Sequence, residues 1–324
     1  MVHSRFIGGQ IARAAVERGW RVRAVRRRPG ATGAIGDLSV AWAQADLRDR
    51  AALIEAMRGC AVVFHAAASY PQGSRNLEQA VAEACAEITN ALDAAQAIGV
   101  ARLIYTSSLT TLARRYVPDM APLDERDVYA AGAARSAYYE AKLAMEQIAL
   151  TARDLDVVAL LPTAVFGPGD VRPTTGLVIR EAGRGRIPFY FEAVINAVDG
   201  RDVAATHLAA AERGRAGERY ILGRPQPDAA RAVRNSRPLP RGAPPSAALA
   251  ARARERADPP ERCAAVRRPA GSAAHVCVLV PSERAEGRTR VGARRAANRG
   301  NHPRYAGLVR AVEAEIAKAR ALVS

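Results

Sequence analysis

Tyr138-Tyr139-Glu140-Ala141-Lys142 places a phenol and an amine four residues apart. On a helix that spacing puts both on one face. Interconverting a ketone and an alcohol needs a group that exchanges a proton at the reacting oxygen. A free tyrosine titrates at about 10, and a nearby ammonium favours its phenolate and lowers that value. Tyr138 therefore reads as a general acid or base, with Lys142 tuning it and reaching a cofactor ribose. The chain holds nine tyrosines but only two lysines, Lys142 and Lys318, so a chance pair at this spacing is rare. A second cluster, Thr106-Ser107-Ser108, closes the apolar run Leu103-Ile104-Tyr105. Hydroxyls at the carboxyl end of a parallel strand face the crevice where open α/β sheets bind ligands. Ser108 is placed to hydrogen-bond a substrate carbonyl or alcohol, whereas Thr106 and Ser107 more ordinarily serve as capping or turn residues.

The elements that must position these groups alternate along the first 223 residues. Helical spacing predicts helices over Ile7–Arg18, Arg50–Met57, Leu77–Ile98 and Ser136–Leu155, with Gly19 and Gly99 ending the first and third. Strands are expected over Arg21–Arg26, Leu38–Ala43, Ala61–Ala66, Arg102–Ser107 and Val157–Leu161. The near-continuous apolar runs suit strands covered on both faces. Five strands joined by helices predict an α/β fold with a Rossmann-type doubly wound parallel sheet.

Residues 224–304 differ in kind. They hold 18 arginines and 6 acids, and no lysine or aromatic residue, so 12 of the net +16 charges sit there. Their prolines interrupt any helix; only His275–Val280 resembles a strand. The composition suits a low-complexity segment or, as we prefer, an out-of-frame reading of GC-rich DNA. Tyr305–Leu322 regains a helical pattern. Such a charge distribution, lacking interleaved aromatics, argues against nucleic-acid binding. No run of about 18 apolar residues predicts a membrane span. Four scattered cysteines (Cys60, Cys85, Cys263 and Cys277) lack metal-ligand spacing, so no metal site is expected. Scattered cysteines without a signal peptide suit a cytoplasmic protein.

Taken together, the Thr106-Ser107-Ser108 strand end and the Tyr138-x-x-x-Lys142 helix resemble the Ser–Tyr–Lys triad of the extended short-chain dehydrogenase/reductases, the NAD-dependent epimerase/dehydratase family. Pro162-Thr163-Ala164-Val165-Phe166-Gly167-Pro168-Gly169-Asp170 resembles that family's segment beside nicotinamide and substrate, with Leu161 where an arginine is usual. Asn196–Ala204 and Arg213–Gly223 resemble its later signatures. The likeness covers residues 6–223 and is closest to dihydroflavonol-reductase-like proteins and hopanoid-associated sugar epimerases. It implies catalysis by Ser108, Tyr138 and Lys142. It also implies cofactor contacts at Pro162, Thr163, Val165, the Asp46-Leu47 pair beside adenine, and the strand end His65-Ala66-Ala67. Gly8 matches the end of the family's glycine motif; Val2 and Arg5 stand where its first two glycines belong, and no residues remain for a preceding strand. The first strand is thus expected to be missing, with a loss of core. Arg26 and Arg27 stand where an acid would select NAD, which favours NADP.

The resemblance implies an NAD(P)-dependent oxidoreductase or epimerase/dehydratase acting on a carbinol or ketone, such as a nucleotide sugar or a flavonoid-like ketone. The domain would span 1–223, followed by an anomalous segment over 224–304 and a helix over 305–324. A small-molecule substrate is expected, and a homodimer through the two long helices. The alternatives are a non-catalytic remnant with impaired cofactor binding and, further off, a nucleic-acid-binding protein using the arginine-rich segment.

Overall fold

The computed structural model describes residues 5–67, 76–112, 123–134, 136–170, 177, 184, 196–223 and 275–279. Val2, the side chain of Arg5, the stretches 224–274 and 280–304, and the helix expected over Tyr305–Leu322 lie outside the described residues.

Two layers of helices flank one parallel sheet. In chain order the elements are α1 (Arg5–Glu17), β1 (Arg21–Arg26), β2 (Ala41–Gln44), α2 (Arg50–Met57), β3 (Val62–His65), α3 (Leu77–Ala97), β4 (Arg102–Thr106), α4 (Ala137–Leu150), β5 (Asp156–Pro162), β6 (Ala164–Phe166), β7 (Ala197–Asp199), α5 (Gly200–Arg213), β8 (Arg219–Leu222) and β9 (His275–Leu279). The seven-stranded sheet runs β2-β1-β9-β3-β4-β5-β8, and β6 and β7 form a small parallel pair beside it. Every pairing between neighbours in the large sheet is parallel. That is the doubly wound architecture the alternating pattern predicts.

Period-two alternation explains the two layers. Leu103 and Tyr105 of β4, with Val157, Ala159 and Leu161 of β5, point to the side covered by α2, α3 and α4. Ile104, Val158 and Leu160 point to the opposite side, covered by α1 and α5. Each strand carries apolar residues on both faces because both faces are buried.

Local chemistry sets the helix ends. Asp49 caps α2 by accepting from the Ala52 amide, Asn76 caps α3 through the Gln79 amide, and Asp199 caps α5 through the Arg201 amide. Gly19 and Gly99 follow α1 and α3 with φ of 76° and 67°, a conformation costly for side-chain-bearing residues. α4 ends five residues earlier than the sequence pattern predicts. The Thr151 hydroxyl donates to the Gln147 and Ile148 carbonyls, and Asp154 turns the chain with φ of 60°. The second strand also begins later than expected, at Ala41, because Leu38 is held in a turn by the Ile35 carbonyl.

The centre of the sheet holds the main departure from simple chain order. The place between β1 and β3 is filled. Residues 275–279 lie there, five of them in register with Arg21–Val25 and four with Val62–His65. The strand pattern at His275–Val280 was legible; its insertion into the middle of the sheet was not.

Candidate active site

β4 delivers three hydroxyls to the carboxyl edge of the sheet, and each has a different partner. Thr106 hydrogen-bonds the buried ring of His207 at Nε2 (2.9 Å), while His207 Nδ1 lies 2.7 Å from the Val203 carbonyl. The second contact requires the proton on Nδ1, so Nε2 accepts from the threonine hydroxyl. Burial pushes the His207 pKa down to about 4, which keeps the ring neutral. Ser107 donates to the carboxylate of Glu146. Ser108, nine-tenths buried, opens a 3₁₀ turn over Leu109–Thr111, and its oxygen accepts from the Thr110 amide at 3.2 Å. The capping expected of Thr106 and Ser107 thus falls to Ser108, whose own O–H is still a donor.

α4 presents the partner groups along one stripe, because residues four apart stack on a helix. Tyr138 is half-buried near its start, its ring edge-on to Tyr139 at 5.8 Å. One turn on, Lys142 is buried, and its amine donates to the Thr106 carbonyl at 3.1 Å. The same amine lies 5.4 Å from the Tyr105 ring centroid. Burial lowers the Lys142 pKa to about 8, against the opposing pull of Glu146. The structure thus ties the lysine of the Tyr-x-x-x-Lys pair to the backbone of the strand that ends in Ser107 and Ser108.

Beyond Lys142 lies a buried cluster that sequence reasoning missed. Glu146 pairs with Arg219 of β8 at 3.0 Å. The Thr111 hydroxyl donates to Glu146 at 2.9 Å, and Arg219 also donates to that hydroxyl at 2.8 Å. Burial raises the Glu146 pKa; Arg219, the two hydroxyls and Lys142 oppose the rise. No signal in the sequence could have found it: Glu146 is buried only because α4 packs both its faces over Ala141–Met145.

The residues expected at the cofactor gather along the same carboxyl edge. Arg26 ends β1 with its guanidinium 4.6 Å from the centroid of the Trp42 ring. Arg27 lies 3.9 Å from Asp46, and Arg48 grips Asp46 at 2.8 Å. Hydrogen bonding from Arg48 chiefly holds the Asp46 pKa low. Leu47 packs on the core, and its carbonyl accepts from Asn90 at 3.0 Å. Ala66 and Ala67 are buried just past β3. His65 is fully buried, its ring 5.8 Å from Tyr105, and apart from its own backbone neither ring nitrogen has a hydrogen-bond partner among the described residues. Burial, reinforced by the charge of Lys142, lowers its pKa to about 4. Pro162 ends β5, the Thr163 amide donates to the Leu222 carbonyl, and Val165 lies half-buried in β6. Gly8 is buried in α1.

Two residues of α1 add contacts that the sequence did not suggest. Gln10 donates to the Pro168 carbonyl at 2.6 Å, tying α1 to the Gly167–Gly169 turn. Phe6 lies so close to Gly200 that a β-carbon there would stand 2.7 Å from the ring. α1, β6 and the start of α5 are therefore fixed against one another.

For a nicotinamide dinucleotide, the donor set fits at both ends. Arg26, Arg27 and Asp46 lie at or just past the carboxyl ends of β1 and β2, and Lys142 with the Ser108 turn lies at that of β4. Small Ala66 and Ala67 stand between them, and α1 directs its amino end to the same edge. Among the described residues there is no cluster of metal-ligating side chains, and no helix is long and apolar enough to cross a membrane.

Comparison with known proteins agrees with this arrangement. The model of the NAD dependent epimerase/dehydratase family matches residues 3–223. A putative dihydroflavonol 4-reductase from Synechocystis is 35% identical over 225 residues; the match covers 67% of this chain and 65% of that protein. The chain thus spans just under two thirds of that relative's length. Among solved structures, gox2253 is 34% identical with a TM-score of 0.61, covering 67% of each chain. PA4631, a nucleoside-diphosphate-sugar epimerase from Pseudomonas aeruginosa, is 28% identical with a TM-score of 0.59, covering 71% of this chain and 72% of its own. A match over two thirds of the sequence, on a doubly wound sheet with these groups at its carboxyl edge, makes the chain a member of the NAD-dependent epimerase/dehydratase family.

Proposed function

We propose that the chain interconverts a carbinol and a ketone with a nicotinamide cofactor, on the sheet built from residues 5–223 and completed by β9. The observation that carries this reading is the buried Lys142 amine, held on the Thr106 carbonyl behind the strand end that presents Ser108. Tyr138 exchanges the proton at the substrate oxygen. Lys142 supplies the positive charge that favours the phenolate, and the Ser108 hydroxyl positions the oxygen. When bound, the cofactor supplies or accepts the hydride at the carbinol carbon. An epimerase would use the same three groups through a transient ketone.

Arg26 and Arg27 favour the 2′-phosphate of NADP over the bare ribose of NAD. The substrate reading leans to an apolar ketone. Leu109, next to Ser108, and Val128, bridged to Leu112, are exposed large apolar residues, and one relative is named a dihydroflavonol reductase. A nucleotide sugar is the second class, after the epimerase of known structure. A homodimer through α3 and α4 is part of the same proposal.

Tyr138→Phe is expected to abolish turnover while the melting temperature still rises on adding NADPH, and rises less with NADH. Unchanged turnover would sink the assignment of Tyr138. No rise with either nucleotide in the parent chain would favour the second reading, a non-catalytic remnant, which the two residues standing in the family's glycine motif keep in view.

A further inference from the structure

We propose that Glu146 is a positioning residue of this site: it pins the strand end that presents Ser108 and serves as counter-charge to the buried Lys142. The inference rests on the proposed role of Lys142, but its first test does not.

Geometry carries it. Glu146 takes a hydrogen bond from Ser107, immediately before Ser108, and another from Thr111, the last residue of the turn that Ser108 opens. One carboxylate therefore fastens both flanks of Ser108 to α4. The same helix carries Lys142 one turn earlier and Tyr138 two turns earlier, so all three lie along one stripe. Arg219 reaches in from β8 and bonds both Glu146 and Thr111. Strand end, turn and helix are thus locked by three buried polar side chains and the largely buried Arg219.

Charge adds the second role. Among the described residues, the groups that act on or lie near Lys142 include Glu146 one turn on along the same helix, Tyr105 of β4 and His65 of β3, with Tyr138 one turn earlier on that helix. Cys85 of α3 lies beyond Tyr105, and Arg219 lies behind Glu146. His65 is neutral at pH 7, and Tyr105 is held protonated by burial. Glu146 is an acid that opposes the desolvation of the Lys142 ammonium. Without it, burial would drive that amine toward its neutral form, and a neutral lysine cannot favour a phenolate at Tyr138.

Because the chain has only two lysines, the test can read Lys142 directly. In protein labelled with ¹⁵N-lysine and carrying Lys318→Arg, a single side-chain amine signal is titrated by NMR, with no cofactor or substrate present. The parent midpoint is expected at about 8. Glu146→Gln should lower the proton affinity of Lys142 by about tenfold or more, and Glu146→Asp should restore part of it. If Glu146→Gln alone does not fold, Glu146→Gln with Arg219→Met removes both charges together, and a smaller fall in the same direction is expected. A midpoint unmoved by loss of the carboxylate overturns the proposal. Turnover gives a second readout: the alkaline limb of its pH profile should shift downward in Glu146→Gln. A parent chain without turnover would instead sink the functional reading above, while the lysine titration still decides the role of Glu146.

Discussion

Glu146 and Arg219 sit 73 positions apart in the chain, yet their charged groups meet at 3.0 Å with 3% and 10% of their side-chain surfaces exposed. A pair so buried is weak proof of net stability, but breaking it on one side leaves a charge in a place water cannot reach. Arg219→Met is accordingly expected to cost about 3–5 kcal/mol in urea unfolding. Adding Glu146→Gln to it should recover part of that loss, since the neutral side-chain amide keeps an acceptor oxygen for Ser107 and Thr111. Strictly additive costs would show that the two residues are not coupled.

His65 and His207 are both buried with pKa values near 4, well below the ordinary 6.5. Each is neutral in the fold but takes up a proton on unfolding below about pH 6.5. Their contribution is therefore present above pH 6.5 and is lost as pH falls toward 4, each by up to about 3 kcal/mol. Apart from its own backbone, the His65 ring has no hydrogen-bond partner among the described residues, so His65→Leu should leave stability at pH 7 nearly intact and flatten the decline between pH 6.5 and 4. Urea midpoints at pH 7, 5.5 and 4.5 measure it; parallel pH curves for variant and parent would refute the assignment.

Cys277 pairs with Arg23 on one side and Val63 on the other. Proline there removes an amide from the middle of the sheet, where it is not tolerated. Cys277→Pro should lower the melting temperature by several degrees, at roughly 2–4 °C per kcal/mol for a domain of this size. Ala41→Pro, at the first residue of the edge strand β2, should cost far less. Equal losses from the two would argue that residues 275–279 do not hold the central place.

Much of this was legible because the deciding physics is local. Arg21–Arg26 and Arg50–Met57 appear with the bounds the pattern predicts. Tyr138, Lys142 and Ser108 announce themselves by residue type, spacing and position after an apolar strand. What escaped were relations between distant segments. A glutamate on a helix is ordinarily solvated, so nothing at position 146 pointed to an arginine in β8. Gln10 and Phe6 gain their partners only when α1 packs on the Gly167 turn and on Gly200. The strand at 275–279 could be recognised by its own composition, but its neighbours are chosen by the gap between β1 and β3.

That choice constrains how the molecule can assemble. β1 and β3 have no ladder between them; each bonds to β9, which begins 53 positions beyond the end of β8. During synthesis the residues of β2, β1, β3, β4, β5 and β8 all emerge before β9, so any pairing they form first would leave edges open at β1 and β3. Loop-closure entropy must be met before the joining strand returns any pairing energy. Folding should therefore be slow, with its last step governed by arrival of residues 275–279. Until then two unpaired edges stand open to neighbouring chains, so aggregation during production competes with that single late event.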